Sequence, residues 1–189
     1  MILLIDLCYR KDSLGRDEFV LPIARIVQNA GKPWAIGYYE DISTSDVEEA
    51  DRLILCGTAL KDQEFIGHLG SFQWLKTIQH PVLGICAGMQ IMVRVWGGRI
   101  VRGEEIGMTD IRVVEQDELF EGRKEFCAFE LHNYSPIPPD SFRELAASSQ
   151  YPQVIRHRIL PHYGVLFHPE VRNEWVVERF LNLPPGGMH

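Results

Sequence analysis

The residues best suited to chemistry lie at 81–95, where an apolar segment runs directly into an amphipathic one. Cys86 stands at the junction, with Gly84 two residues before it and Gly88 two residues after it. This spacing is typical of a nucleophile elbow, a strand-to-helix turn so tight that side chains at the two flanking positions would collide. The turn would put the sulfur at a helix N-terminus, where the peptide dipoles stabilise a thiolate. The sequence therefore predicts a cysteine nucleophile, with the amide of Ala87 directed at a developing oxyanion.

A cysteine nucleophile needs a base that later protonates the leaving amine, and an acidic group that orients the base. His168 and Glu170, on either side of Pro169, supply both side-chain types. Residues two apart in an extended backbone project from the same face, and the proline restricts that backbone. The spacing predicts that Glu170 holds one imidazole nitrogen of His168 while the other addresses Cys86. A loop histidine explains a lone His-Pro-Glu tripeptide equally well, so this prediction depends on both motifs together.

The elements that must position these side chains follow an alternating pattern. Short apolar runs without polar alternation are typical of strands buried on both faces of a parallel sheet, and segments of helical periodicity lie between them. We therefore predict an α/β fold with a single-domain, doubly wound, mostly parallel sheet, flavodoxin-like helical layers, and a smaller antiparallel portion in the C-terminal half. Helices are predicted over 18–30, within 72–79 and over 173–183 with Asn173 as N-cap, a turn or short helix at 43–50, and short β-runs at 111–114, 125–131, 152–157 and 163–168.

Size, charge and composition narrow the function classes. A length of 189 residues, 46% of them hydrophobic, suits one domain over 1–184 followed by a flexible tail at 185–189. The formal charge of -7 repels polyanions, so no nucleic acid partner is expected. The first apolar run soon meets Asp6, which predicts a cytoplasmic protein without a membrane span. The four cysteines form no CxxC pair and the histidines show no ligand spacing, so neither metal nor cofactor is expected.

The order of these motifs resembles that of the class I glutamine amidotransferases, from about residue 23 to about residue 180. The features shared with the family are GICAGMQ followed by two glycines, the turn Glu105–Gly107, a segment containing His132, and a final His-Pro-Glu; the glutaminase domain of the GMP synthase branch is the most similar. The resemblance implies hydrolysis of the side-chain amide of glutamine through a γ-glutamyl thioester on Cys86, with His168 and Glu170 completing a triad. It also implies that ammonia passes to a separate synthetase.

The resemblance assigns substrate-site roles to four further positions. Gly57 falls in the loop that supplies an oxyanion amide, and the family contacts substrate or shapes its pocket at the positions of Gln90, His132 and Glu105. A surface histidine and a solvated carboxylate explain the last two equally well. This chain also departs from the family at the loop after Gly57, where the Gly-Pro-Gly type sequence is missing and the amide of residue 59 or 60 would have to donate. Further departures are a polar insertion at 8–19, which could line the substrate mouth or a partner face, and Leu166 in place of a glutamine.

Three functions are compatible with this sequence. The first is a glutaminase subunit that works with a separate synthetase, because the chain has no room for an ATP-binding domain and no P-loop. The second is a stand-alone hydrolase of γ-glutamyl amides or peptides that uses the same Cys-His-Glu site with water as the final acceptor. The third is a binding or regulatory protein on this scaffold with little catalysis. We favour the glutaminase subunit, and we interpret Cys56 as a core thiol.

Overall fold

A single nine-stranded sheet runs through residues 1–184, the part of the chain that the computed structural model describes. The flexible tail predicted at 185–189 lies outside these described residues. The strands are β1 (Ile2–Asp6), β2 (Trp34–Tyr38), β3 (Arg52–Leu55), β4 (Val82–Ile85), β5 (Arg99–Val113), β6 (Glu125–Ile137), β7 (Phe142–Ala147), β8 (Pro152–His157) and β9 (His162–Val165). Their order across the sheet is β2-β1-β3-β4-β9-β8-β7-β5-β6.

The first five strands in that order are mutually parallel and carry helices on both faces. Every residue of β1 is buried, as expected of a strand covered from both sides. The helices are α1 (Leu21–Asn29), α2 (Thr44–Glu49), α3 (Glu64–Gly67), α4 (Ala87–Val95) and α5 (Trp175–Asn182). One core packs α1 and α5 against the sheet, and a second core packs α2 and α4 against the opposite face. The α/β class predicted from the alternating pattern is confirmed.

The antiparallel portion continues the same sheet beyond β9 and is larger than the short runs in the sequence indicated. β5 and β6 extend over 15 and 13 residues and pair along their length, with an irregularity between Arg102 and Glu105. Strand β7 was not predicted at all. These strands bury mainly one face and carry many charged residues on the other. Their sequences therefore contain no continuous apolar run from which their full length could be predicted.

Three local predictions need correction. The helix expected within 72–79 is a 3₁₀ segment, Leu69–Lys76. The helix expected from residue 18 begins earlier, with a π-helical turn at Arg16–Val20 that leads into α1. Asn173 is not the N-cap of α5, because Glu174 occupies that position. Asn173 instead has a positive φ of 81°, which asparagine tolerates well, and its side-chain amide donates to the carbonyl of Cys127 at 2.9 Å.

None of the helices within residues 1–184 is long and apolar enough to cross a lipid bilayer.

Candidate active site

Cys86 alone makes the turn between β4 and α4. Its backbone has φ 46° and ψ −98°, a strained conformation for a residue with a side chain. Hydrogen bonds on both sides hold the residue there. The Cys86 amide donates to the carbonyl of Val165 at 2.7 Å, and its carbonyl accepts from the amide of Gln90 at 3.0 Å. The thiol therefore stands at the carboxyl end of the parallel strands, at the N-terminus of α4.

The two flanking glycines are required by backbone contacts. A Cβ atom on Gly84 would lie 2.6 Å from the carbonyl carbon of Gly88, and a Cβ on Gly88 would lie 2.4 Å from the carbonyl oxygen of Leu55. Backbone atoms cannot rotate away as a flexible side chain can. The prediction that these glycines avoid Cβ collisions at an elbow is confirmed.

His168 and Glu170 form the expected pair, but not in extended backbone as predicted. Strand β9 ends at Val165, and the pair lies in a turn in which the amide of Val171 donates to the carbonyl of His168 at 3.2 Å. The distance from Nδ1 of His168 to Oε1 of Glu170 is 2.7 Å, and both side chains are almost fully buried. Since a carboxylate can only accept, Nδ1 donates the hydrogen and Nε2 is left free for another partner. The ring is also held by packing, because Phe19 lies 5.5 Å away between ring centroids and a Cβ on Gly57 would come within 2.9 Å of Cε1.

The protonation of His168 is coupled to Cys86. Burial lowers the pKa of His168, but the interactions of its ring with Cys86 and with the carboxylate of Glu170 outweigh burial and hold the pKa well above its usual value. Burial raises the pKa of two other thiols, that of Cys56 well above its usual value and that of Cys8 to about 12. Cys56 is fully buried in the core.

We expect the pKa of His168 to lie above its usual value, and Cys86→Ala to lower that pKa because the interaction with the Cys86 side chain is lost. NMR titration of protein with ¹⁵N-labelled histidine measures both values. Because the folded-state pKa is raised, this proton stabilises the fold below the unfolded-state pKa, and the contribution disappears as pH rises through the folded-state pKa. His162 provides an internal reference, since burial lowers its pKa to about 3. An unchanged His168 pKa in the variant would contradict the coupling.

A narrow cleft opens beside the thiol of Cys86. Its walls come from the start of α4, from the loop that follows β3, and from β6. Asp62 ties the loop together, because its Oδ2 accepts from the hydroxyl of Thr58 at 2.6 Å and from the amide of Tyr9 at 3.1 Å. The predicted insertion at 8–19 therefore supports the mouth of the cleft through Tyr9 and the ring of His168 through Phe19.

The structure brings several of the predicted substrate-site residues to this cleft. Ala87 and Gln90 line it from α4, and the side-chain amide of Gln90 donates to the carbonyl of Tyr134 at 3.1 Å. Ala87 is the first residue of α4, where a backbone amide has no partner within the helix and can point to a ligand. Ala59 and Leu60, the candidates for a second oxyanion amide, line the cleft from the loop after β3.

The remaining predicted residues have surroundings that the sequence did not indicate. Gly57 lies against the ring of His168 and is not part of the cleft lining. His132 belongs to the cleft lining, as predicted, but it lies in β6 rather than in a surface loop, and it is buried, with Nδ1 at 3.0 Å from the carbonyl oxygen of Gly103. Glu105 is likewise buried and is not a solvated charge. Leu166 belongs to the core behind the site.

Sequence reasoning missed four residues around the thiol. Phe19 packs on His168, Thr58 orders the loop, and Asn133 and Tyr134 line the cleft from β6. The only available signal was the position of Asn133 and Tyr134 directly after His132, because the other contacts join segments that are far apart in the chain.

The fold and this arrangement define a class, that of α/β proteins with a cysteine on a nucleophile elbow beside a buried His–Glu pair. The sequence profile of the family described as glutamine amidotransferase class-I matches residues 17–180 of this chain. The chain belongs to this family.

Relatives and solved structures agree with that assignment. The chain is 36% identical to the glutamine-hydrolyzing GMP synthase subunit of Thermoplasma acidophilum, over 70% of each chain. It is 31% identical to the protein of the same name from Sulfolobus acidocaldarius, over 78% of this chain and 82% of the relative. The match to the Pyrococcus abyssi protein of that name is 40% identical but spans only 48% of this chain and 51% of that relative. The crystal structure of a putative GMP synthase subunit from T. acidophilum superposes with a TM-score of 0.83 at 27% identity, covering 96% of this chain and 92% of that one.

Proposed function

We propose that this chain hydrolyses the side-chain amide of glutamine and delivers the ammonia to a separate synthetase subunit. The observation that carries the proposal is the placement of the Cys86 thiol on a strained elbow, where it interacts with the imidazole of His168. Nδ1 of that imidazole is hydrogen-bonded to Glu170. The relatives are named as glutamine-hydrolyzing subunits of GMP synthase, and that name supports both the substrate and the partner. Within this family, a GMP-forming synthetase is therefore the partner that we propose.

In the first half of the reaction, the Cys86 thiolate attacks the amide carbon of glutamine. The carbonyl oxygen becomes an oxyanion, which the amide of Ala87 and one from residue 59 or 60 stabilise. Nε2 of His168 then gives its proton to the amide nitrogen, the carbon–nitrogen bond breaks, and ammonia leaves. A γ-glutamyl thioester remains on the sulfur.

In the second half, the now neutral His168 removes a proton from water as the water oxygen attacks the thioester carbon. The carbon–sulfur bond breaks, glutamate is released, and Cys86 returns as a thiolate beside an imidazolium. Glu170 keeps the hydrogen on Nδ1 throughout, so that Nε2 is always the nitrogen that exchanges protons. The charge of Glu170 also stabilises the imidazolium between the two halves.

The test is to measure amine release from L-glutamine, L-asparagine and a γ-glutamyl dipeptide, with and without the synthetase component of a GMP synthase and its other substrates. We expect glutamine to be hydrolysed much faster than asparagine, whose shorter side chain does not bring the amide to the sulfur. Addition of the synthetase should increase the rate. Preference for the dipeptide would favour the stand-alone hydrolase, and no glutamine turnover even with the synthetase present would refute the proposal.

A further inference from the structure

Two buried carboxylates and a buried imidazole converge between β5, β6 and β8. Glu130 and His132 are alternate residues of β6 and share a face, and Glu105 is the cross-strand partner of His132. One ligand atom from each of these three residues lies within 4.8 Å of the others. Glu130 is 0% exposed and His132 is 2% exposed. This cluster plays no part in the proposed thioester chemistry.

The tautomer of His132 leaves the lone pair of its second nitrogen free to bind a cation. Nδ1 lies 3.0 Å from the carbonyl oxygen of Gly103, which can only accept, so Nδ1 carries the hydrogen. In the neutral ring, Nε2 then presents a lone pair to Oε2 of Glu130 at 3.3 Å and to Oε2 of Glu105 at 3.5 Å. Within residues 1–184, neither oxygen of Glu130 nor Nε2 of His132 has a hydrogen-bond partner. Buried electron-rich atoms of Glu130 and His132 thus face each other without a donor, an arrangement that a positive charge between them would stabilise.

The spacing of these atoms matches a metal ion better than a direct hydrogen bond. Ligands at about 2.0–2.1 Å from a tetrahedral zinc ion lie ~3.3–3.4 Å apart, whereas an N–H···O bond is usually about 2.9 Å long. The observed nitrogen–oxygen separations are 3.3 and 3.5 Å. Outer contacts hold two of the ligands in place, as is usual around metal sites, because Gly103 orients the imidazole and Nε2 of Gln153 donates to Oε2 of Glu105 at 2.7 Å.

We propose that Glu105, Glu130 and His132 bind one divalent ion of the zinc type, with water in the fourth position. One imidazole and two carboxylates form a ligand set that suits zinc, and the two negative charges balance the charge of the ion. A metal was not expected from the sequence, because Glu105 comes from a distant part of the chain. Glu130 and His132 are two residues apart in β6, and only the pairing of β5 with β6 brings Glu105 to them.

An ion at this position would stabilise the strand that faces the nucleophile. Leu131 lies between two of the ligands, and its carbonyl oxygen is 3.9 Å from the sulfur of Cys86. The ion therefore has a positioning role, and its binding does not depend on whether the proposed glutaminase activity is correct.

The test uses tag-free protein with the Cys86→Ala substitution, so that the thiol of the active site cannot chelate, stripped of metal with EDTA and titrated calorimetrically with ZnCl₂. We expect one saturable site per chain, at least 10-fold weaker in Glu130→Gln and in His132→Asn. Glu104→Gln is the matched control, because Glu104 is the neighbouring carboxylate on β5 and is exposed. CoCl₂ should produce visible d–d absorption without thiolate-to-cobalt charge transfer.

Circular dichroism of each metal-free variant establishes that it folds, and Glu105→Gln replaces any variant that does not. The absence of a saturable zinc site would overturn the proposal and assign the cluster a bound proton instead. Equal zinc affinity in the Glu130→Gln, Glu105→Gln and Glu104→Gln proteins would also overturn it, as would a cobalt spectrum dominated by thiolate charge transfer.

Discussion

Cys86→Ala is expected to reduce glutamine hydrolysis by at least ~10⁴-fold, because removal of the nucleophile from a catalytic triad leaves only binding and oxyanion stabilisation. The thioester cannot form without the sulfur, and His168 also loses an interaction that raises its pKa. Cys86→Ser should be nearly as inactive, because a serine hydroxyl is far less acidic than a thiol and is not ionised beside the imidazole. Release of ammonia from glutamine, followed with each purified variant, measures both effects.

Cys127→Ala is the matched control for this prediction. Cys127 is a partly exposed thiol in β6, outside the lining of the cleft. Its replacement should leave the rate of glutamine hydrolysis within about twofold of that of the parent chain. Surface substitutions rarely change stability by more than about 0.5 kcal/mol, so the variant should remain folded. An electrophilic glutamine analogue should add one mass equivalent to the parent chain and to Cys127→Ala, and none to Cys86→Ala. Labelling of Cys86→Ala, or glutamine turnover by it, would show that another residue is the nucleophile.

Gly88→Ala is expected to destabilise the fold by roughly 3 kcal/mol or more, at the upper end of the cost of inserting a methyl group into a packed interior. The added carbon would lie 2.4 Å from the carbonyl oxygen of Leu55 and 2.7 Å from its Cβ, so α4 would have to move away from β3. That movement also displaces Cys86, which precedes the helix. Urea unfolding followed by circular dichroism gives the free energy of unfolding, and the amidase rate reports the position of the nucleophile.

Gly67→Ala separates the effect of the close contact from the general effect of replacing glycine. A Cβ on Gly67 would have no other atom within 4 Å, and the backbone of Gly67 does not have a positive φ. This substitution should be neutral or stabilise the fold by up to about 1 kcal/mol through the entropy of the unfolded chain. Equal free energies of unfolding for Gly67→Ala and Gly88→Ala would mean that the helix relaxes at little cost, contrary to the interpretation of the elbow.

The sequence was sufficient for those parts of the site that are local in the chain. The elbow depends on a glycine two residues to each side of Cys86, and the His–Glu pair depends on a two-residue spacing around Pro169. Strands of the parallel half were recognisable because burial on both faces requires apolar residues throughout. The long strands β5 and β6 were underestimated because one of their faces meets solvent and carries charges.

Contacts between distant segments were beyond the reach of the sequence. The support of His168 by Phe19 and Gly57 joins three separate parts of the chain, and the pairing of Glu105 with His132 depends on the register of two antiparallel strands across an irregularity. A shift of that register by one residue would move every side chain to the other face.

The sequence by itself therefore determined the alternating strands and helices of the parallel half, the elbow and the spacing of the His–Glu pair, because each of these depends on a few neighbouring residues. Only the tertiary structure decided which loop closes the cleft, which rings hold His168, and which buried charges meet behind Leu131. Those outcomes depend on how the whole sheet packs, since the burial of apolar surface over many strands selects a register that no short segment encodes.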